Sequence, residues 1–288
     1  VRREKPSRPA YIYRRRRWRA LFTTLDALGG LFHRPVLGVP DLSAARSILV
    51  LKLDQLGDVV LTQPLIAALR RAAPQARIEL LVGAGRGESA ALLPGADAVR
   101  ELPLRLRGRR VAIAPRDLTR AIRDERACRP DVVIAAKEEP VTLLLAWTIG
   151  APIRVGYREG GLGFLLTHYL PIRGGRPQHR ELAALAGPAG ADAAPPVALV
   201  KDAAHEEVEG ALRSPGFDET LPTIVVHPGS GDPRTRWPWS RFAEALDLVS
   251  AQRPLLVCLV GAGELEPRPV LYLPAPSRVL ALDAPLSI

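Results

Sequence analysis

The first regular pattern of apolar positions follows a run of arginines. Apolar side chains recur at intervals of three and four residues at Trp18, Leu21, Phe22, Leu25, Leu28 and Phe32. This spacing predicts an amphipathic helix that Gly29 and Gly30 end or fray, with a linker containing Pro35 and Pro40 after it. The apolar stripe either docks on the protein's own body or lies on an anionic membrane, and the pattern favours neither.

Short apolar, β-branched runs then alternate with segments of helical periodicity. Residues 47–53 are typical of a buried parallel strand, and further strands are predicted at 77–82, 99–102, 111–114, 132–135 and 153–157. Helices are predicted between several of these strands, at 61–71, 118–126 and 141–149. Strands that alternate with helices in this way indicate a doubly wound α/β sheet.

A second cycle begins after an Ala-, Gly- and Pro-rich stretch at 187–196. It consists of a helix at 203–213, a strand at 223–227, a helix at 239–251 and a strand at 255–260. The economical interpretation is two Rossmann-like halves. The second half is incomplete, because residues 223–288 hold roughly three strands where such a domain needs about five or six.

Composition and charge narrow the function classes. A chain of 288 residues with 47% hydrophobic side chains is not a disordered chain. Two cysteines in unrelated contexts, Cys128 and Cys258, exclude a disulfide framework and indicate a cytosolic protein. No apolar run reaches the roughly 18 residues of a membrane span.

The net charge of +10 is concentrated at one end of the chain. The first nineteen residues hold nine basic residues and one acidic residue, which gives +8 and leaves +2 for the rest. A basic arm on a nearly neutral body is the pattern of a surface tether. A nucleic-acid binder usually spreads its charge over a folded face, so we expect no nucleic-acid partner.

The loop after the first predicted strand carries two acidic residues, Asp54 and Asp58, one on each side of Gly57. In a doubly wound sheet this loop faces the ligand crevice. Gly57 permits a tight turn or a close approach to substrate, and Asp58 falls in the first helical turn, where the helix dipole favours its ionised form. An ionised carboxylate there can remove a proton from an alcohol. Alternatively Asp58 only caps the helix, and Asp54 is a structural acid bonded to loop amides.

A second loop, 227–238, also follows a strand and precedes a helix. Backbone N–H groups, the helix dipole and guanidinium groups all favour an anion in such a loop. The candidate phosphate-binding residues are Gly229, Ser230, Arg234, Thr235 and Arg236. The alternative is a solvated surface turn. After the last strand, Glu264 in a Gly-Ala-Gly-Glu segment is a candidate ligand for ribose hydroxyls.

Several motifs are missing from the sequence. It contains no Asp-x-Asp pair, no H-E-x-x-H and no G-x-S-x-G, and its five histidines are dispersed. Metal-dependent sugar transfer, zinc hydrolysis and serine-hydrolase chemistry therefore have no motif to support them, and we expect no metal site and no cofactor.

Segments 47–83 and 224–246 closely resemble the bacterial heptosyltransferase family, glycosyltransferase family 9. Shorter matches occur at Asp131 (DVVI), at Arg154 (RVGYR) and at the pair His179 and Glu181, so the resemblance runs from about residue 47 to 264. Members have the GT-B fold. The resemblance therefore implies an α/β chain of GT-B type with two Rossmann-like domains of parallel strands.

The resemblance also implies an activity and its residues. Family members move a heptose from ADP-heptose to a sugar hydroxyl of the lipopolysaccharide core, with inversion and without metal. Asp58 matches the proposed general base, and Thr62 matches the threonine of the same G-D-x-x-x-T segment, with Asp54 and Gly57 shaping the acceptor site. Ser230 matches a phosphate-contacting hydroxyl.

The implied domains are a basic arm, amphipathic helix and linker (1–46), an acceptor domain (47–186), a linker with a connecting helix (187–222) and a partial nucleotide-sugar domain (223–288). The implied partners are an ADP-linked sugar donor, a lipid-linked envelope glycan acceptor and an anionic membrane surface. The expected location is the cytoplasm, at the inner face of the cytoplasmic membrane.

The sequence departs from the family in two places. The family lysine two residues before the Trp-Pro pair falls on Thr235, which leaves the cation to Arg234 or Arg236. The family also continues beyond the end of this chain with an Asp-x-Gly-x-x-His segment, so the resemblance implies a C-terminally truncated member. Two alternatives remain. One is a non-catalytic nucleotide-sugar or envelope-binding remnant. The other is an NAD-dependent enzyme, which is disfavoured because this sequence has no acidic residue about twenty positions beyond a glycine fingerprint.

Overall fold

The structure is a computed structural model. It describes residues 16–103, 105–107, 110–112, 114–173, 175–197, 202–212, 217–218, 220–230, 233–261, 271 and 273–282. The chain forms two compact units, Val1–Leu199 and Val200–Ile288. None of the helices within the described ranges is both long enough and apolar enough to cross a membrane.

The first unit alternates helices and strands. Its helices are α1 Arg16–Phe32, α2 Leu56–Val60, α3 Gln63–Ala72, α4 Gly87–Ala90, α5 Pro115–Ala127, α6 Pro140–Ile149 and α7 Gln178–Ala184. Its strands are β1 Val36–Leu37, β2 Ser47–Lys52, β3 Arg77–Gly83, β4 Ala98–Leu102, β5 Arg105–Arg107, β6 Arg110–Ala112, β7 Val132–Ala135, β8 Ile153–Tyr157 and β9 His168–Leu170. Two 3₁₀ turns, Gly163–Leu165 and Gly187–Gly190, complete it.

Seven of these strands form one sheet in the order β1-β9-β8-β7-β2-β3-β4, and every neighbouring pair is parallel. The central strands are buried on both faces, as expected of β-branched and leucine-rich runs covered by helices. One apolar cluster includes residues of α3 and α7, and the other includes residues of α6. This arrangement confirms the doubly wound sheet.

Four local predictions for this unit needed correction. The helix expected at 61–71 is α3, which begins at Gln63, and the separate short helix α2 precedes it, with a break at Leu61 and Thr62. The strand expected at 111–114 is β6, which pairs with β5 in a separate antiparallel hairpin. The predicted linker contains β1, which pairs with β9 at the edge of the main sheet. Helix α1 continues through Gly29 and Gly30 to Phe32.

Close packing explains why α1 does not end at its glycines. Gly29 is buried, and a Cβ atom at this position would overlap the ring of Phe164 in the turn Gly163–Leu165. Phe22, one heptad earlier on the same line of the helix, is also buried. The lack of a side chain at Gly29 therefore lets α1 lie directly on the body of the first unit.

The second unit is smaller. It contains α8 Asp202–Leu212, β10 Thr223–Val226, a 3₁₀ turn Pro233–Thr235, α9 Trp239–Ser250, β11 Leu256–Val260 and β12 Arg278–Leu282. The three strands form a parallel sheet in the order β10-β11-β12. Its core packs residues of β10 and β11 against Leu246 of α9. The strands predicted near 223 and 255 are confirmed.

Candidate active site

The candidate site of the first unit lies at the carboxyl edge of its sheet. Strands β2, β7 and β8 are parallel neighbours, so the loops that follow them meet at the same edge. The loop after β2 carries Asp54 and Asp58, and the loop after β7 carries Lys137. Side chains that are far apart in sequence are thereby brought together.

An ionic cluster joins the first two loops. Lys52 at the end of β2 is completely buried, and its ammonium lies 2.7 Å from Asp54 Oδ2. Lys137 Nζ lies 2.8 Å from Asp54 Oδ1, and Lys52 Nζ also donates a hydrogen bond to the Ala136 carbonyl oxygen at 3.2 Å. Asp54 is thus held by two lysines, and not by the loop amides that the sequence suggested as an alternative.

The ion pairs also set the charge states in the cluster. Burial raises the pKa of the Asp54 carboxyl, but the two neighbouring ammonium groups outweigh burial and hold this pKa below its ordinary value. Burial lowers the pKa of Lys137, and the Asp54 carboxylate outweighs that effect and raises it. The Asp54 carboxyl and the Lys137 ammonium therefore stabilise each other's charged form near neutral pH.

Asp58 lies in the first turn of α2, as predicted. Gln178, at the start of α7, donates a hydrogen bond from Nε2 to Asp58 Oδ1 at 3.0 Å, across 120 positions in the sequence. The N-cap residue of α2 is Gln55. Thr62 is fully buried and donates from Oγ1 to the Asp58 carbonyl oxygen at 3.2 Å. The break between α2 and α3 falls just before Pro64, which has no N–H to continue the helix from α2.

A cavity of about 360 Å³ is lined by Gln178, the residue that bonds to Asp58, while Asp58 itself is not part of the lining. Its basic lining residues are Lys52, Lys137, Arg173 and Arg176. Its other polar lining residues are Glu138, Tyr157, Gln178 and Glu181. Gln178 therefore connects the cavity wall to Asp58. A sugar with an anionic substituent would find both hydroxyl-binding groups and positive charge here.

Two polar atoms near the cavity have unused hydrogen-bonding capacity. Among the described residues, no hydrogen-bond partner reaches the buried atoms Glu181 Oε1 and His179 Nε2. The neighbouring Tyr157 hydroxyl donates to the Glu181 backbone carbonyl oxygen, and burial raises the pKa of this phenol. A buried carboxylate oxygen without a donor is costly, so it is a natural position for a ligand hydroxyl.

The second unit brings together part of the predicted phosphate loop. The hydroxyls of Ser230 and Thr235 lie 2.6 Å apart, and Arg236 Nε donates to the Ser230 carbonyl oxygen at 3.1 Å. Arg234 and Thr235 belong to the 3₁₀ turn that precedes α9, and both are exposed. The loop therefore gathers two hydroxyls and two guanidinium groups on an accessible surface, together with Gly229.

The predicted site residues thus form two sets, one in each unit. Asp54, Gly57, Asp58 and Thr62 are neighbours in the first unit, and the phosphate loop is in the second. Glu264 lies outside the described residues. Sequence reasoning missed Lys137 and Gln178, and it missed Lys52 although a single charged residue in the apolar strand SILVLKL was a usable signal.

At the level of sequence, no family profile and no curated protein matches this chain. Its structure is similar to that of the glycosyl transferase family 9 protein from Veillonella parvula, with a TM-score of 0.67 and 24% identity over 84% of this chain and 70% of that chain.

Two E. coli structures are also similar. ADP-heptose lps heptosyltransferase II has a TM-score of 0.56 and 19% identity over 76% of this chain and 65% of that chain. Heptosyltransferase WaaC with ADP has a TM-score of 0.50 and 16% identity over 74% of this chain and 66% of that chain. The chain thus spans just under two thirds of either E. coli protein.

At these sequence identities the similarity shows the fold and nothing finer. The resemblance of the sequence to family 9 and the similar solved structures indicate the same fold. The predicted fold class is confirmed: this is an α/β chain of GT-B type with Rossmann-like units of parallel strands, the fold of the family 9 glycosyltransferases.

Proposed function

We propose that the protein is an inverting, metal-independent glycosyltransferase that moves a heptose or a related sugar from an ADP-sugar to a lipid-linked envelope glycan. One observation carries the proposal: in a chain with this fold, the Asp58 carboxylate accepts a hydrogen bond from Gln178, which lines a cavity with four basic residues at the carboxyl edge of the sheet. Asp58 is the residue that the sequence resemblance independently assigns as the base.

In the proposed reaction, Asp58 accepts the proton of an acceptor hydroxyl. The hydroxyl oxygen forms a bond to the anomeric carbon of the donor, and the bond from that carbon to the diphosphate oxygen breaks. The electron pair of the broken bond leaves with ADP. Because attack and departure occur on opposite faces of the sugar, the product has the inverted configuration.

The cavity of the first unit would hold the acceptor. Glu181 Oε1 would accept a hydrogen bond from a sugar hydroxyl, which satisfies a buried atom that has no donor among the described residues. Lys52 and Lys137 pair with Asp54 and hold it at the edge of the sheet that carries this cavity. Arg173 and Arg176 extend the positive surface toward solvent.

The phosphate loop of the second unit would hold the donor. Ser230 and Thr235 offer hydroxyls, and Arg234 and Arg236 offer guanidinium groups that suit phosphate oxygens. Negative charge that develops on the leaving diphosphate would be offset by these groups without a metal ion. A lipid-linked acceptor places the reaction at a membrane surface, in agreement with the expected location at the cytoplasmic face.

The test is a transfer assay with ADP-heptose and a lipid-linked core glycan in the presence of excess chelator. We expect release of one ADP per sugar transferred and a product whose anomeric configuration is opposite to that of the donor. A product with retained configuration would refute direct displacement, and strict dependence on a divalent ion would refute the metal-free reaction. Binding of ADP-heptose with no transfer to any such acceptor would favour the non-catalytic alternative.

A further inference from the structure

Helix α1 presents a second apolar line besides the one that packs on the body. Trp18, Leu21, Leu25, Leu28 and Phe32 follow one another at intervals of three and four residues, which places them on one flank of the helix. Phe22 and Gly29 occupy the neighbouring line and are buried. Most of the flank is exposed: Trp18 is 42% exposed, Leu28 54% and Phe32 91%.

Helix α6 adds a second exposed apolar line in the same unit. Val141, Leu144 and Trp147 recur every three residues on α6, and each is exposed by more than two fifths. Both α1 and α6 pack against the turn Gly163–Leu165, so the two helices lie on either side of one short segment of the first unit. We call this surface, formed by the exposed apolar side chains of α1 and α6, the two-helix patch.

The charges around the two-helix patch are mainly basic. Arg16, Arg17 and Arg19 are exposed at the start of α1. Helix α5 packs against α6 and exposes Arg120 and Arg123. The sequence before α1 adds six further basic residues against one acid. Apolar and aromatic side chains bordered by arginines complement a surface with an apolar interior and negative headgroups.

We infer that the two-helix patch binds the surface of an anionic phospholipid bilayer, with Trp18 and Trp147 at the level of the headgroups. A second copy of the chain is a poorer occupant, because Asp26 is the only acid in α1 to pair with the arginines of a partner. The inference goes beyond sugar transfer, since it concerns where the protein resides. The inference also assigns α6 to the membrane-binding surface, whereas the sequence pattern suggested only the N-terminal helix.

The position of α6 gives this surface a connection to the candidate site. Helix α6 begins at Pro140, three residues after Lys137, which is paired with Asp54. A bilayer resting on the exposed line of α6 would therefore lie near the carboxyl edge of the sheet. A lipid-linked acceptor could then reach Asp58 with its lipid still in the membrane.

The experiment uses the full chain and vesicles of phosphatidylcholine, with or without phosphatidylglycerol. Replacing Trp237 and Trp239 by Phe leaves Trp18 and Trp147 as the fluorescent reporters. We expect binding only when phosphatidylglycerol is present, a blue shift of the fluorescence, quenching by brominated acyl chains, and weaker binding as salt rises. The assay contains no donor or acceptor, so its failure would leave the proposed sugar transfer untouched.

Aspartate variants distinguish binding through the two-helix patch from non-specific electrostatic attraction to the vesicles. Leu21→Asp with Phe32→Asp, and separately Leu144→Asp, should each lower vesicle partitioning by about tenfold or more, because an aspartate opposes both burial and the anionic surface. Leu248→Asp is the matched control: Leu248 is 70% exposed on α9, in the second unit, and its replacement should leave binding unchanged. Circular dichroism checks that each variant is folded.

Three results would overturn the inference. The first is vesicle binding that the α1 and α6 variants leave at the native level. The second is an absence of quenching of Trp18 and Trp147 by brominated lipid in the native chain. The third is self-association without vesicle binding that Leu21→Asp with Phe32→Asp abolishes, since this result would assign the two-helix patch to a second copy.

Discussion

Replacing Asp54 by Asn tests whether the lysine cluster is an organised part of the site. The substitution keeps the shape of the side chain and removes its charge. Lys52 is fully buried, and without Asp54 its ammonium would keep the Ala136 carbonyl oxygen, at 3.2 Å. Lys137 would lose the carboxylate that now lies 2.8 Å away. The variant therefore contains an uncompensated buried charge.

The expected cost follows from the burial of the cluster. Breaking a buried ion pair by removing one partner typically costs about 3–5 kcal/mol. The Asp54 side chain is 10% exposed and that of Lys137 is 23% exposed, so solvent offsets part of the loss. We expect the free energy of unfolding of the first unit to fall by about 3 kcal/mol. Asp117→Asn, which removes a partly exposed partner of the exposed Arg116, should cost less than about 1 kcal/mol.

Hydrogen exchange of peptides that cover β2 and β7 measures this free energy in the first unit alone. The pKa of Asp54 is lowered in the folded protein, so its contribution is present above the ordinary value of 3.8 and is lost as pH falls through the lowered pKa. The difference between native protein and Asp54→Asn should therefore be complete at neutral pH and disappear in strong acid.

Adding Lys52→Met to Asp54→Asn should recover at least about half of the loss, because the buried ammonium is then replaced by an apolar side chain of similar size. Two results would refute the assignment of Lys52, Asp54 and Lys137 to one buried ionic cluster. The first is a loss of less than about 1 kcal/mol for Asp54→Asn at neutral pH. The second is a double variant that is no more stable than Asp54→Asn alone.

Three further predictions concern the positioning of the base, the donor loop and helix α1. Gln178→Leu should lower turnover by about tenfold with unchanged donor affinity, because it removes the hydrogen bond to Asp58; normal turnover would contradict the positioning role. Arg234→Ala with Arg236→Ala should weaken ADP binding in calorimetry with excess chelator by at least about tenfold, whereas the exposed control Arg253→Ala should not; equal affinities would exclude the loop as the phosphate site. Gly29→Ala should destabilise the first unit by about 1–3 kcal/mol, because its Cβ overlaps Phe164. Gly30→Ala, whose Cβ meets nothing within 4 Å, should stabilise it by about 0.5–1 kcal/mol, and thermal unfolding distinguishes the two signs.

The central strands of the seven-stranded sheet could be predicted because each is a short apolar, β-branched run that is visible in the local sequence. The strand predicted at 153–157 is β8 with the same bounds, and 132–135 is β7. The missed strands, β1 and β9, have two and three residues and little apolar periodicity. Their extended conformation depends on pairing along the sheet edge, which no local pattern encodes.

The site was predictable only where a motif carries it. Asp58 was predicted as a site residue because a glycine and an acid that follow a buried strand form a recognisable motif within one loop. Gln178 was not found, since its contact with Asp58 spans 120 positions and depends on where α7 packs. The break at Leu61 and Thr62 was missed although Pro64 marks it locally, because the apolar periodicity runs on across the proline without interruption.

The most direct test of the central claim is the turnover of Asp58→Asn in the ADP-release assay, with ADP affinity measured on the same sample. Asparagine has nearly the same size as aspartate but cannot take the acceptor's proton. We predict that turnover falls by about 10² to 10⁴-fold, while the dissociation constant for ADP changes by less than about twofold. Turnover within about threefold of the native value would contradict Asp58 as the base, and so would a loss accounted for by unfolding of the variant.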